Sequence, residues 1–171
     1  MRFLFLVLFL LFIPLSSNAN DISTIRLSYI INNSLEFKSF LEKLEELKKN
    51  LFDELKINEE FIENKREELE NSKLILNEEE YSKLLESFNI ENSKHIKNIN
   101  LYEDILNNNM NKNKNIIINE ISQILNEYAK KNSIDLILNE DQYFISSSNN
   151  DISDIIIKIL NEKKLNLSIK K

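Results

Sequence analysis

The sequence predicts a mostly helical α+β fold: a long antiparallel coiled-coil hairpin projecting from a small β-rich body that carries a short C-terminal helix. Three observations predict it. Between residues 35 and 118, apolar side chains recur at alternating three- and four-residue steps, the spacing of a coiled-coil seam. That rhythm breaks once, at residues 76–80, which reads as a hairpin tip. Short segments rich in β-formers flank the hairpin on both sides.

The first nineteen residues read as a secretory leader. Arg2 gives a positive start, residues 3–13 are an unbroken apolar run, and Pro14 with Ser16, Ser17 and Asn18 follows. Small residues at Ser17 and Ala19 suit a cut after Ala19. The apolar run is well short of the ~20 residues a membrane-spanning helix needs, so export with cleavage is expected rather than anchoring. Removing Arg2 makes the formal charge of −6 one unit more negative.

Residues 24–31 (T-I-R-L-S-Y-I-I) are expected to form a strand, and Asn32, Asn33 or Ser34 to cap the helix that follows. The first arm, residues 35–74, carries Phe37, Phe40, Leu44, Leu47, Leu51, Leu55, Ile62 and Leu69 as its stripe. At ~1.5 Å per residue it is roughly 60 Å long, so it must project from any small body. Asn77 followed by Glu78, Glu79 and Glu80 marks a second helix start, with acidic residues facing the positive helix end. The return arm repeats the stripe with Tyr81, Leu84, Phe88, Ile99, Tyr102, Leu106 and Met110, and then Ile117, Ile121, Leu125 and Tyr128 down to about Lys131.

Polar residues interrupt both stripes, Asn58 and Lys65 on one arm and Asn92 and His95 on the other. Such positions weaken a seam while fixing its register. Residues 107–115, apolar only at Met110, are expected to fray or bend. Residues 133–138 and 142–146 are expected as strands joined by the turn-prone Asn139, Glu140 and Asp141. Asp151 or Ser153 can cap a last helix through Leu160, and the residues after Lys163 are expected to form a loose tail. The domain reading is therefore a leader at 1–19, an arm at 35–118, and a body made from 20–34 with 119–171. About seventy body residues are marginal for an independent core, so the body is expected to oligomerise.

Composition excludes several classes of function. There is no glycine, so there is no phosphate-cradling loop, dinucleotide fingerprint or nucleophile elbow of the usual kind. There is no cysteine, and His95 is the only histidine, too few ligands for a metal site. No cofactor and no enzymatic activity are expected. Carboxylate pairs such as Glu59 with Glu60 have no evident pocket to tune them. The acidic balance counts against nucleic acid as a partner. Abundant asparagine, lysine and isoleucine are what an AT-rich genome would produce.

Aromatic residues exceed what one seam requires. Phe37, Phe52, Phe61, Tyr81, Phe88 and Tyr102 are candidate contact residues, with Phe52 beside seam residue Leu51 and Phe61 beside Ile62. A wider seam would bury them. An adaptable apolar lining would use them for weak contacts with many partners.

The organisation resembles the Skp (OmpH-like) family of periplasmic chaperones. The likeness rests on the exported segment 24–31 leading into a capped helix, and on K-N-S-I-D-L-I-L at 131–138, similar to the family's basic residue, turn and "Y-D-L-V-L" strand. It rests also on D-I-S-D-I-I-I-K-I-L at 151–160, similar to "D-I-T-x-x-V-I-x-x-L", and on L-N-E-E-E-Y-S-K-L at 76–84, similar to "L-S-x-x-E-x-x-K-L" at the tip. The resemblance implies a periplasmic homotrimer whose strands join in a small body and whose three arms enclose a cavity. It further implies an ATP-independent holdase for unfolded outer-membrane proteins. Family members are often strongly basic, whereas these arms are acidic on balance, which counts against lipopolysaccharide as a ligand. The alternative function is a structural coiled-coil adaptor in an envelope assembly, which explains the long arms but not the C-terminal likeness.

Overall fold

The computed structural model describes residues 21–170, and the expected leader at 1–19 lies outside the described residues. The chain opens with strand β1 (Ile22–Ile25), followed by helix α1 (Leu27–Asn33). Two long helices, α2 (Leu35–Ser72) and α3 (Glu78–Asn132), form the arm. Strand β2 (Leu136–Asn139) and helix α4 (Ser153–Glu162) complete the body, with 3₁₀ turns at Glu140–Gln142 and Ser148–Asn150 between them.

β1 and β2 pair in parallel, Ile22 opposite Leu136 through Ile25 opposite Asn139. Parallel neighbours need a crossover, and here the whole hairpin arm is the crossover. The other edge of β1 forms a single bridge from Thr24 to Asp151, with the Ile152 N–H donating to the Thr24 carbonyl at 3.0 Å. β1 therefore lies between two C-terminal segments, which explains why Ser23, Thr24 and Ile25 are all buried.

The expected strand at 24–31 is corrected by this arrangement. Extended chain stops at Ile25, and residues 27–33 are helical. The cause is tertiary. The Arg26 N–H donates to Ser153 Oγ at 2.8 Å and the Leu27 N–H to Asn139 Oδ1 at 3.0 Å. These are orphan donors at the start of α1, and side chains from more than a hundred residues away satisfy them. The β-forming residues of 27–31 then bury Ile30 and Ile31 on one helical face.

Both predicted helix starts hold. Ser34 is the N-cap of α2, its Oγ accepting from the Phe37 N–H. Asn77 caps α3 in a full capping box, with Oδ1 accepting from the Glu80 N–H and the Glu80 carboxylate accepting from the Asn77 N–H. At α3's other end Ser133 takes the left-handed conformation, φ 56° and ψ 36°, with its N–H bonded to the Ala129 carbonyl. Glycine usually fills that role, and in a chain without glycine a serine does so.

Four further expectations are corrected. Residues 142–146 form no strand; among the described residues β2 pairs only with β1, and Phe144 and Ile145 are almost wholly exposed. Residues 107–115 do not fray but run as unbroken α3. The segment after Lys163 is not loose, because Leu165 is buried and its neighbours are hydrogen-bonded to α3. The second strand is shifted, starting at Leu136 rather than Ser133.

One apolar cluster joins body and arm root. Ile30, Ile117, Ile121, Ile124, Ile156 and Leu160 are essentially inaccessible, and the cluster climbs through Phe37, Phe40, Leu44, Leu47 and Leu51. Beyond Leu51 only the two-helix seam continues.

Candidate functional site

At ~1.5 Å rise per residue, the 38 residues of α2 extend about 57 Å and the 55 of α3 about 80 Å. The stripe expected on α2 is the face it buries: Phe37, Phe40, Leu44, Leu47, Leu51, Ile62 and Leu69 are buried and Leu55 half-buried. The return helix differs. No residue of α3 before Asn109 is fully buried, so the outer arm is held by one half-open seam.

The polar interruptions lie in that seam. Asn58 and His95 line one small cleft of about 60 Å³ between the helices, together with Phe61, Ile62, Glu91 and Asn98. Lys65 and Asn92 are half-buried. His95 Nδ1 is buried and makes no hydrogen bond to another protein group among the described residues. Among the described residues no group of three or more His, Cys, Asp or Glu could hold a metal ion.

The six aromatic candidates separate into three environments. Phe37 is buried at the arm root with its ring 5.7 Å from that of Phe40, which makes it a core residue rather than a contact residue. Phe52 and Phe61 are about half exposed, and the Lys48 ammonium lies 6.0 Å from the Phe52 ring. Tyr81, Phe88 and Tyr102 are half-buried along the seam. Burial, with the Glu54 carboxylate beside it, pushes the Tyr102 phenol above its ordinary pKa.

Exposed aliphatic residues add to the aromatic candidates. Leu74 and Ile75 stand almost fully exposed at the tip, and Ile57, Ile90, Ile96 and Leu101 are more than half exposed along the arm. A trough of about 650 Å³ runs along α3 past Leu85, Asn89, Ile90 and Ser93. A second cleft of about 660 Å³ opens between the helices nearer the root, floored by Leu41, Leu44, Leu106 and Met110. The available signal was positional: each of these exposed aliphatics falls outside the three- and four-residue stripe. Exposed apolar side chains interleaved with lysine, glutamate and asparagine over this length give many weak contact points and no single deep pocket.

At the foot of the arm, Arg26 Nε donates to Asp151 Oδ2 at 2.8 Å, while Asp151 Oδ1 accepts from the Ser153 N–H at 2.9 Å. Burial by itself would raise the Asp151 pKa, but hydrogen bonds from Ser153 and the guanidinium outweigh it and hold the carboxyl below its ordinary value. Glu120 similarly accepts from Lys163 Nζ at 2.6 Å and, chiefly through that bond, raises the lysine's pKa. These links tie the end of β1 and the base of α3 to the segments that bound α4.

The fold has relatives. A crystal structure of a protein from Caulobacter crescentus, described as an OmpH-like outer membrane chaperone, superposes with a TM-score of 0.77 at 12% identity, covering 88% of this chain and 89% of that one. No curated protein matches. The family model described as Outer membrane protein (OmpH-like) matches residues 21–160, spanning β1, both arm helices, β2 and most of α4. The chain belongs to the OmpH-like family.

Proposed function

We propose that this protein is an ATP-independent periplasmic holdase that binds unfolded outer-membrane proteins between the arms of a homotrimer and prevents their aggregation. The observation that carries the reading is the outer arm itself. It is a long, half-open seam with exposed apolar residues distributed from Phe52 and Ile57 through Leu74 and Ile75 to Ile90 and Leu101. No single contact there is strong. Several weak contacts on linked arms raise overall affinity without a deep pocket, and they release a client without nucleotide.

The body offers a surface that fits the proposed trimer. Phe144 and Ile145 project from the body almost fully exposed, Leu136 and Ile22 are nearly half exposed, and β2 has an unpaired outer edge among the described residues. Exposed apolar side chains together with a free strand edge are the kind of surface a neighbouring copy would cover. The body then serves as hub, and 35–118 as the working arm.

The test is direct. Mature protein in excess should keep an unfolded β-barrel protein soluble when it is diluted from urea, with no added ATP. Aggregation proceeding at its unassisted rate would refute the proposal.

A further inference from the structure

The C-terminal tail is bound to α3 in an unusual way. Asn113 Nδ2 donates to the Ser168 carbonyl at 3.0 Å while its Oδ1 accepts from the Ser168 N–H at 2.9 Å. One helical turn away, Asn109 does the same with Lys170: Nδ2 to the carbonyl at 2.7 Å, and Oδ1 from the N–H at 2.7 Å. Each asparagine amide thus behaves as a peptide group in a β-bridge. The spacings agree, because four residues of helix advance about 6 Å and two residues of extended chain about 6.6 Å. Asn113 takes the earlier tail residue and Asn109 the later one, so the tail runs antiparallel to α3.

Both asparagines are nine-tenths or more buried, yet neither lacks a partner. Their Nδ2 groups also donate to the carbonyls of Asn109 and Ile105. The tail reads K-L-N-L-S-I-K over 164–170. Leu165 is buried and Leu167 and Ile169 pack against the core, while Asn166, Ser168 and Lys170 point to solvent. What is read in the tail is therefore either a backbone group or an alternating apolar position. Among the described residues, no side chain of 164–170 makes a polar contact. These contacts match the general pattern of an extended segment with alternate apolar residues.

We propose that the Asn109–Asn113 face of α3 is a receptor for extended peptide backbone, and that its partner is a client segment with alternating apolar and polar residues. The tail is its occupant in cis. Alternation of this kind is the pattern of a strand in a transmembrane β-barrel, lipid-facing on one side and lumen-facing on the other. The inference rests on the holdase reading for the identity of the partner. The groove itself rests on the two asparagines and on a tail that lies outside the residues matched to the family. A tethered occupant competes at high local concentration, so it keeps the groove covered until a client strand arrives and holds weak binders off.

The test uses the full mature chain. Leu165→Asp with Ile169→Asp should release the tail, and the labelled probe is the peptide K-L-N-L-S-I-K, with an unrelated alternating valine–threonine peptide and a shuffled K-N-L-L-I-S-K as comparators. Both alternating peptides should bind the released protein at least tenfold more tightly than the parent, and the shuffled peptide should not. Adding Asn109→Leu with Asn113→Leu should remove that gain. On the parent, an excess of alternating peptide should speed amide exchange at Ser168 and Lys170, a readout that needs no altered chain. Equal binding to parent and released protein, indifference to the asparagines, or tail exchange unmoved by peptide each overturns the proposal. Aggregation assays on the same samples separate the two readings. Client protection without peptide binding sinks the groove alone, and peptide binding with no client protection sinks the holdase and leaves the groove.

Discussion

Filling the polar gaps of the seam with leucine should stiffen the arm and impair its handling of large clients. The perturbation is Asn58→Leu, Lys65→Leu and Asn92→Leu together. All three side chains are half-buried between α2 and α3. Full burial of a leucine side chain is worth about 1.5–3 kcal/mol, so a half-buried one contributes about 1. Replacing asparagine by leucine inside a helix adds roughly 0.5 kcal/mol at each of two sites. Against this stands loss of the exposed Lys65–Glu68 ion pair, 2.7 Å long and worth at most about 1 kcal/mol. The net gain is about 3 kcal/mol for opening the outer arm. Since ~1.4 kcal/mol is a factor of ten, amide exchange across residues 51–102 should slow about a hundredfold. Exchange in Ile117, Ile121 and Ile124 at the root serves as the internal reference, since those residues are already inaccessible. Hydrogen exchange read by mass spectrometry measures the stiffening, and dilution assays with one small and one large β-barrel client measure the consequence. Unchanged exchange would show that the seam does not limit opening. Slowed exchange with undiminished capture of the large client would show that arm mobility is not part of the mechanism.

Other perturbations probe the body. Asp151→Asn should destabilise by about 1 kcal/mol, allowing for a pair that is partly exposed, or roughly 3 °C in Tm. The Asp151 pKa is lowered on folding, so its contribution is complete above the unfolded carboxylate range near ~4 and disappears as pH falls through the still lower folded value. Parent and variant melting curves should therefore converge in acid, and a gap that persists there would contradict the assignment. Ile156→Ala removes a side chain with no exposed surface and should cost about 2–5 kcal/mol in urea unfolding. A loss below 1 kcal/mol would mean that α4 does not seal the core. If the proposed trimer assembles through the body, Phe144→Asp with Ile145→Asp should yield a monomer by sedimentation with its helical circular dichroism intact, and an unchanged sedimenting mass would refute assembly through this surface. Deleting residues 55–98 with a short closing linker should spare assembly, because the joined cluster of body and arm root ends near Leu51 and Tyr102.

What could be read from the chain alone was what local chemistry decides. The caps at Ser34 and Asn77 depend on side chains within three residues of the groups they satisfy. The seam from Phe37 to Leu69 follows from helical periodicity, which needs no knowledge of the partner helix. The β-forming run at 27–31 misled because β-propensity reflects surroundings more than backbone preference. There the surroundings are Ser153 and Asn139, which satisfy the first N–H groups and select a helix. At 142–146 the composition is right for a strand, but composition cannot supply a neighbouring edge, and Phe144 and Ile145 find none among the described residues. Off-stripe Ile57, Ile90 and Leu101 were visible as letters, yet their exposure depended on how narrow the outer seam proved to be.

The two misreadings at the C-terminal end have a single cause. Residues 107–115 look too polar for a buried helix, and residues after Lys163 look too short and polar to hold a place. Each is correct about its own segment taken alone. Asn109 and Asn113 bury their amides because the tail supplies backbone partners, and the tail lies extended because the amides satisfy it. By itself the sequence determined the helical hairpin, its caps and its weak seam, since these are fixed by contacts within a few residues or by periodicity along one helix. Only the tertiary structure decided which polar groups go inside and which β-formers become helix. Those outcomes depend on hydrogen-bond partners 55 to 127 residues away, and a buried polar group is tolerable only once such a partner is in place.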